Sequence, residues 1–262
     1  MGGVFHRLAL YSTWIIMNCK NCEQIVDGNF CTHCGQSARV ERINLSNFLN
    51  ELSAGVFQID KGFFYSLIEL FVRPGPGIRE YLAGKRKNHF KPIAYVLTMS
   101  ALYFLLSRAL GSETFLSDFV KGFSNGGSGS KVDAGQLATL NWFANNYAYA
   151  ILLLLPLYSL ASYLAFRGAG FNYLEHFVLN SYITGQQAAL YSLSSVLSLM
   201  GGNEGLWVLI TLCISVSYAF LVFWQFFSEQ GRLAIVLRSL LTYAISLVFI
   251  LLALIILFAG VR

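Results

Sequence analysis

Charged residues are scarce in this chain. Asp, Glu, Lys and Arg make up 12% of its 262 residues, whereas 56% are hydrophobic. Soluble proteins carry about 25% charged and about 45–50% apolar residues, so the composition excludes an ordinary soluble domain and predicts an integral membrane protein. The long apolar runs lie after Pro92, and residues 18 to 60 are mixed and polar. We therefore expect a small soluble module ahead of a membrane domain.

Excess positive charge is missing outside one short segment. Arg73–Pro92 carries six basic residues and one acidic residue, and this difference of five equals the net charge of +5 of the whole chain. The rest of the chain is neutral and offers no basic face for a nucleic acid. A basic block ahead of the first apolar run is typical of a cytoplasmic segment beside an anionic leaflet. We expect its cations to contact lipid headgroups and to orient the protein; they are Arg73, Arg79, Lys85, Arg86, Lys87 and Lys91.

Catalytic signatures are also lacking. The sequence contains no HExxH or paired-carboxylate pattern, which argues against a membrane-embedded enzyme of a familiar kind. The glycine-serine tract Asn125–Lys131 does not have the spacing of a phosphate-binding loop. We therefore do not expect an enzyme.

Cysteine is rare, but four of the five cysteines form one motif. The two CxxC pairs, Cys19 with Cys22 and Cys31 with Cys34, can present four thiolates to one ion. Such clustering favours a metal over disulfides and fits a reducing cytoplasm. Four thiolates leave no open position for water, so we predict a structural Zn²⁺ rather than a redox or catalytic centre. His33 is an alternative ligand, although two complete pairs need no substitute.

The segments around this zinc ribbon (residues 18–40) carry weaker signals. Residues 1–17 are either an upstream extension before a natural start at Met17 or a short apolar segment, since no signal-peptidase site is visible. Residues 41–91 comprise two amphipathic helices and the basic linker. The first helix runs from Asn44 to Val56. The second, Asp60–Val72, either lies in the headgroup region or packs on the membrane bundle; we place Lys61, Tyr65, Ser66 and Glu69 opposite its aromatic face.

Several motifs resemble one bacterial family. They are FCTHCGQ (Phe30–Gln36), RPG (Arg73–Gly75), IREYLAGKRK (Ile78–Lys87) and PIAY (Pro92–Tyr95). They resemble multi-pass membrane proteins of the domain-of-unknown-function family numbered three-six-six-seven. The resemblance implies a zinc ribbon followed by membrane spans, and it supplies no catalytic residues. The chain departs from the ribbon pattern at Glu23, where such ribbons usually have glycine.

Five apolar runs predict five membrane spans, so the expected fold is an all-α integral membrane helical bundle with an N-terminal zinc ribbon. Counting from a cytoplasmic basic block places the N-terminal module inside and the C-terminus outside a bacterial cytoplasmic (inner) membrane. Residues 111 to 140 form an external loop in this scheme. Within the membrane domain 92–262, the expected spans are about 92–110, 142–166, 173–200, 206–227 and 239–260.

The third span is unusually polar. Amide side chains within a membrane must face other helices or a wet cavity. Two interpretations remain open: hydrogen bonds between helices, or a polar pocket that opens to the cytoplasm and recruits a glutamine from the fourth span. The residues of this intramembrane site are Glu175, His176, Asn180, Gln186, Gln187 and Gln225.

These observations favour a membrane scaffold or interaction protein. In this interpretation the zinc ribbon docks a protein partner, and the basic segment binds anionic lipid headgroups. The alternative is a transporter or permease that uses the polar face of the third span, although no inverted repeat is visible.

Overall fold

The structure is a computed structural model that describes residues 17–44, 61–126, 133–199, 201 and 203–260. Three expectations from the sequence fall partly or wholly outside these residues: the upstream segment 1–16, the amphipathic helix after Asn44, and most of the glycine-serine tract.

Helices dominate the described part of the chain, which also holds one short antiparallel hairpin. Strands β1 (Met17–Asn18) and β2 (Ile25–Val26) pair with Met17 opposite Val26. The helices of the described residues are α1 (Lys61–Val72), α2 (Pro74–Ala83), α3 (Pro92–Leu110), α4 (Phe115–Gly126), α5 (Ala134–Asn145), α6 (Tyr147–Ala165), α7 (Tyr173–Ser198), α8 (Glu204–Phe226) and α9 (Arg232–Gly260).

Proline and glycine set the ends of two early helices. Pro74 and Pro92 lie in the first turn of α2 and α3, where a missing backbone N–H costs nothing. Gly84 and Gly111 end these helices with φ of 114° and 66°, a left-handed conformation that suits glycine. α2 therefore begins directly at Pro74 and ends before Gly84.

Among the described residues, four helices are long and apolar enough to cross a membrane: α3, α6, α8 and α9. α7 has 26 residues, which is long enough for the hydrocarbon core, but it is more polar than these four. It packs against α3, α6 and α8, so its polar side chains face protein instead of lipid. The predicted all-α membrane bundle is thus confirmed with four candidate spans among the described residues, and the crossing of the membrane by the third expected span stays a prediction.

The contact between α3 and α7 lies at the centre of the core. Tyr95 and Tyr182 are almost completely buried there, and their ring centroids are 5.7 Å apart. Gly185 allows the two helices to approach, because a Cβ at this position would lie 2.6 Å from Tyr95 Cδ1. The packing of this pair therefore depends on a missing side chain.

α1 packs on the bundle with one face and leaves a second apolar face uncovered. Phe63 and Leu70 belong to the main core. Ser66, which we expected on the polar side, is fully buried, and its Oγ accepts a hydrogen bond of 2.7 Å from the backbone N–H of Phe90. The expected division into faces is therefore wrong at Ser66, because the turn before α3 needs its oxygen. The exposed apolar residues of α1 are Phe64, Ile68, Phe71 and Val72.

The segment between the first two membrane helices is more ordered than the external loop expected from the sequence. It contains α4 and α5, which pack against each other. Val120 and Leu140 from these helices form a cluster with Leu254 and Phe258 near the end of α9. Asn146, with φ of −120°, separates α5 from α6, so α6 begins at Tyr147 instead of near residue 142.

Candidate metal centre and its attachment to the membrane helices

The four clustered cysteines converge on one point. Their Sγ atoms all lie within 4.8 Å of one another, and Cys19–Cys34 and Cys22–Cys31 are each separated by 3.5 Å. Sulfurs bound to a tetrahedral ion at about 2.3 Å are about 3.8 Å apart. The donor set therefore fits one four-coordinate metal ion. His33 is exposed and does not belong to this group.

Two similar turns position the thiols. The backbone N–H of Glu23 donates to the carbonyl of Cys19, and the N–H of Gly35 donates to the carbonyl of Cys31, both at 2.8 Å. Glu23 and Gly35 adopt φ of 64° and 72°, so each turn ends in the left-handed region. Glu23, which stands where such ribbons usually have glycine, therefore adopts a backbone conformation typical of glycine.

Backbone amides also adjust the chemistry of the thiols. The N–H of Cys34, assisted by that of His33, lowers the pKa of the Cys31 thiol to about 6. Hydrogen bonds to the charged form of a thiol favour the thiolate, which is the species that binds metals. These amides therefore favour the metal-binding form of Cys31. With four sulfur ligands, the ion would have a structural role and would hold the two turns together.

Gln36, directly after the second turn, fastens this module to the bundle. Its side chain is 6% exposed. Nε2 donates to the carbonyl of Gly84 at 2.8 Å, while Oε1 accepts from the backbone N–H groups of Arg86 and Lys87 at 3.0 Å each. One side chain thus satisfies three backbone groups of the basic segment.

Gly84 brings the two parts into close contact. A Cβ at this position would lie 2.7 Å from Lys20 Cδ and 3.2 Å from Val40 Cγ1. Lys20 is itself held, because its Nζ donates to the carbonyl of Val40 at 2.7 Å. A side chain at residue 84 would therefore push the metal module away from α2.

A second attachment joins the module to the start of α7. Arg42 makes two hydrogen bonds of 2.7 Å to the carboxylate of Glu175 and a third to the carbonyl of Gly170. Glu175 is 4% exposed and also accepts from the backbone N–H of Asn172, whose side chain caps α7. Asn172 Nδ2 reaches the carbonyl of Ile43 at 3.3 Å. Residues 42 and 43 are thus tied to the loop between α6 and α7.

The six predicted headgroup cations take part mainly in contacts within the protein. Arg73 pairs with Glu69 and Glu80, and Arg79 pairs with Glu229. Lys85 lies 3.9 Å from Glu80, and Arg86 donates to the carbonyl of Glu41 at 3.0 Å. Lys91 occupies the N-cap position of α3, but its side chain makes no capping hydrogen bond. The Nζ of Lys87 would lie 3.6 Å from a Cβ at Gly35, so this cation is beside the metal module. Their contact with lipid headgroups stays a prediction.

The predicted intramembrane residues are distributed over several helix contacts. Gln186 accepts from the hydroxyl of Tyr95 on α3, and Gln187 Nε2 donates to the carbonyl of Ser215 on α8 at 3.2 Å. Gln225 accepts from the backbone N–H of Gly75 at 3.0 Å. The structure therefore does not bring these three glutamines together in one pocket. Glu175, as described above, is paired with Arg42 outside any such group.

His176 and Asn180 form a separate cluster with Ser162 of α6. Nδ1 of His176 lies 3.0 Å from the hydroxyl of Ser162, and Asn180 Nδ2 donates to that hydroxyl at 2.7 Å. Phe227 and Tyr163 contact the imidazole ring. Each polar residue of α7 described here thus bonds a neighbouring helix or segment.

Sequence reasoning did not single out Gln36 or Arg42 as functional residues. Gln36 ends the FCTHCGQ motif, and its partners lie in the GKRK part of a second motif, so the pairing of two motifs was the available signal. Arg42 and Glu175 are 133 positions apart, and no local pattern connects them.

Comparisons with known proteins agree with the resemblance seen in these motifs. No curated protein and no solved structure matches this chain. A family model does match one segment, which covers α1, α2 and the first part of α3 and excludes the cysteine module. Residues 60–104 match the model of a family described as protein of unknown function (DUF3667), and this match confirms the family that the sequence motifs resemble.

Proposed function

We propose that this protein is a multi-pass membrane scaffold in which a structural Zn²⁺ folds a module fixed to one end of the helical bundle. The observation that carries the proposal is the Gln36 contact, in which one buried side chain of the module bonds three backbone groups of Gly84–Lys87. The ion pair of Arg42 with Glu175 adds a second point of attachment. A module held at two points presents its outer surface at a constant position, which suits the docking of a partner.

Zn²⁺ is the metal that fits this role best. Thiolate ligands select soft or borderline ions, and four of them in tetrahedral geometry favour zinc in a structural site. The module has little core of its own, since its buried hydrophobic residues are Cys19, Val26 and Cys31. Metal binding would therefore supply much of its folding free energy. Elemental mass spectrometry of the purified, reduced protein should find about one zinc per chain; a stoichiometry near zero would contradict the assignment.

We further propose that the module faces the bacterial cytoplasm and that the bundle lies in the cytoplasmic membrane. Metal thiolates fit a reducing compartment, and the basic segment beside the module favours an anionic cytoplasmic leaflet. The end of α9 packs against α4 and α5, away from the module, which supports a C-terminus outside. A reporter enzyme that is active only outside the cytoplasm should be active when fused to the C-terminus. Activity of a reporter that works only in the cytoplasm would refute this orientation.

The partner surface can be tested by crosslinking in intact cells. Ile25 and Phe30 are each 64% exposed on the module, so a photoreactive amino acid placed there should give adducts of discrete size. The matched control is Leu252, which is 49% exposed on the apolar α9 and should give lipid adducts only. The Cys31→Ser, Cys34→Ser double variant should lose the adducts while it still inserts in the membrane. Equal adducts in both proteins would mean that the metal module is not the docking surface.

A further inference from the structure

An open groove of about 360 Å³ lies between the last two turns of α8 and the first turns of α9. α9 packs more closely on α6 than on α8, which leaves this gap between two helices that are apolar enough to cross a membrane. In such a position the groove faces lipid hydrocarbon. The groove is lined by Phe220, Leu221, Trp224, Ile235, Val236 and Ser239.

The lining of this groove suits a hydrocarbon chain. Ser239 carries the only hydroxyl among the six lining residues, and its Oγ donates to the carbonyl of Ile235 at 2.8 Å. This hydroxyl therefore needs no partner from a ligand. A polar group placed in the groove would lose its own hydrogen bonds, whereas an acyl chain packs on such a surface through van der Waals contacts.

The groove is closed at one end and has a cation at the other. At the inner end Phe220 stacks on Tyr243 of α9, with ring centroids 5.6 Å apart. At the outer end the guanidinium of Arg232 lies over the ring of Trp224, 5.9 Å from its centroid. Arg232 and Ser239 are separated by about 10 Å along the helix axis. A lipid with its headgroup at Arg232 therefore has the first part of an acyl chain in the groove.

The charge of Arg232 is not neutralised by a carboxylate of the described residues. Glu229, three positions earlier, pairs with Arg79 of α2 instead. Arg232 is exposed, and its described contact is with the Trp224 ring. A guanidinium matches the geometry of a phosphate group, and tryptophan is enriched where membrane helices meet the headgroup region. Both side chains are thus suited to a phospholipid headgroup.

We propose that the groove between α8 and α9 binds one anionic phospholipid, with its phosphate on Arg232 and an acyl chain along Trp224 and Val236. Cations beside membrane helices are typical of such sites. A zwitterionic headgroup would bring its own ammonium group near Arg232, and the two like charges would repel each other. This site goes beyond the scaffold role, and it requires neither the metal module nor the predicted headgroup contacts of the basic segment.

Fluorescence quenching by brominated lipids tests the site in the whole protein. The substitutions Trp14→Phe, Trp142→Phe and Trp207→Phe leave Trp224 as the only tryptophan of the chain. Bilayers combine phosphatidylglycerol and phosphatidylcholine of equal chain length, with bromine on one lipid at a time. Quenching should give a relative binding constant of about 5 in favour of phosphatidylglycerol, which corresponds to roughly 1 kcal/mol for one cation near an anionic leaflet.

Native mass spectrometry of the unsubstituted protein gives an independent measurement if the tryptophan variant does not fold. The protein should retain one phosphatidylglycerol molecule more often than one phosphatidylcholine molecule when it is released from the same mixture. A relative binding constant near 1 together with equal retention of the two lipids would overturn the proposal.

Two substitutions of arginine test the headgroup contact. Arg232→Gln should reduce the relative binding constant to about 1, since one cation supplies the preference. Arg167→Gln is the matched control, because Arg167 is exposed and lies away from the groove. Its loop is at the same end of the bundle, where Phe166 stacks on Phe227. An equal loss in both variants would mean that general surface charge attracts the lipid, and the discrete site would be wrong.

Two substitutions on α9 test the acyl-chain contact. Val236→Phe fills the groove and should abolish most of the preference for phosphatidylglycerol. Leu237→Phe adds a ring at a neighbouring position that is 56% exposed and does not line the groove, so the preference should stay. A full preference in the Val236→Phe protein would contradict the acyl-chain site. Removal of zinc should not change the lipid preference, so this proposal and the scaffold role can fail separately.

Discussion

Glu23 occupies a backbone conformation that glycine adopts more readily. Its φ of 64° matches the 72° of Gly35 in the equivalent turn. The left-handed region costs a residue with a side chain about 1–2 kcal/mol, whereas glycine loses about 0.5–1 kcal/mol more backbone entropy on folding. Glu23→Gly should therefore strengthen metal binding by a few-fold, measured by competition with a chromogenic zinc chelator.

The control for this prediction separates conformation from charge. Glu23→Ala removes the carboxylate but keeps the strain, so its affinity should stay close to that of the wild type. Gly35→Ala should bind zinc more weakly, because a Cβ there meets only Lys87 at 3.6 Å and the remaining penalty is conformational. If Glu23→Gly and Glu23→Ala behave alike, backbone strain at this turn is not the cause.

His89 should make the junction between α2 and α3 sensitive to acid. Burial lowers the pKa of His89 below its ordinary value of 6.5, with Tyr65 and Tyr81 edge-on to its ring. The folded state therefore keeps the ring neutral, while the unfolded state takes up a proton below pH 6.5. Stability from this residue is present above that pH and is lost as pH falls towards the lower folded pKa, by at most about 1.4 kcal/mol per pH unit.

Thermal unfolding at pH 7.5, 6.5 and 5.5 measures this effect. His89→Phe keeps a ring between the two tyrosines and cannot titrate, so the difference in melting temperature between wild type and variant should change in favour of the variant as pH falls. Glu80 titrates lower, because Arg73 lowers its pKa, and it is present in both proteins. Parallel pH profiles for the two proteins would show that His89 is not responsible.

At the scale of helices, the contact of α3 with α7 is the one most sensitive to added volume. A Cβ at Gly185 would lie 2.6 and 2.8 Å from ring atoms of Tyr95, and Tyr95 is fully buried with its hydroxyl bonded to Gln186. Gly185→Ala should therefore cost about 1–3 kcal/mol through overpacking, more than the helix propensity that alanine gains. A lower melting temperature in detergent is the expected result.

Gly122 provides the matched substitution. It lies in α4, where an added Cβ would meet nothing within 4 Å, so Gly122→Ala should be neutral or stabilise the helix by up to about 1 kcal/mol. Equal destabilisation by both alanines would mean that the close approach of α3 and α7 does not limit stability.

The long apolar helices were predictable because their composition is decisive over many residues. α4 and α5 were not recognised, since glycines and a polar tract surround them and each has only 12 residues. The burial of Ser66 was also missed: periodicity describes which side chains are apolar, whereas Ser66 is buried by the need of one backbone N–H at Phe90. Local patterns do not reveal a hydrogen bond to a residue 24 positions away.

The same limit applies to the molecule as a whole. The spacing of Cys19, Cys22, Cys31 and Cys34 was enough to predict a metal cluster, because the ligands are close in sequence. The attachment of that cluster was not predictable, since Gln36 and Arg42 find their partners 48 to 133 positions away. The polar residues of α7 were recognised as unusual, yet their separation into different helix contacts depends on the packing of α7 against its neighbouring helices.

The two attachments predict that metal removal loosens one end of the bundle and leaves the membrane helices folded. Without its ion the small module should unfold, so the backbone amides of Arg86 and Lys87 lose the acceptor that Gln36 provides. Hydrogen exchange with a chelator should therefore rise across residues 84–91 and at the start of α7, but not within α3.

Gln36→Ala should raise exchange at residues 84–91 with zinc still bound, because it removes about 1–3 kcal/mol of hydrogen bonding from a buried site. Arg42→Ala should affect the start of α7 instead, where Glu175 loses its partner. If the chelator releases all zinc and leaves exchange at residues 84–91 unchanged, the module is not coupled to the bundle. The proposed scaffold role depends on this coupling and would then be wrong.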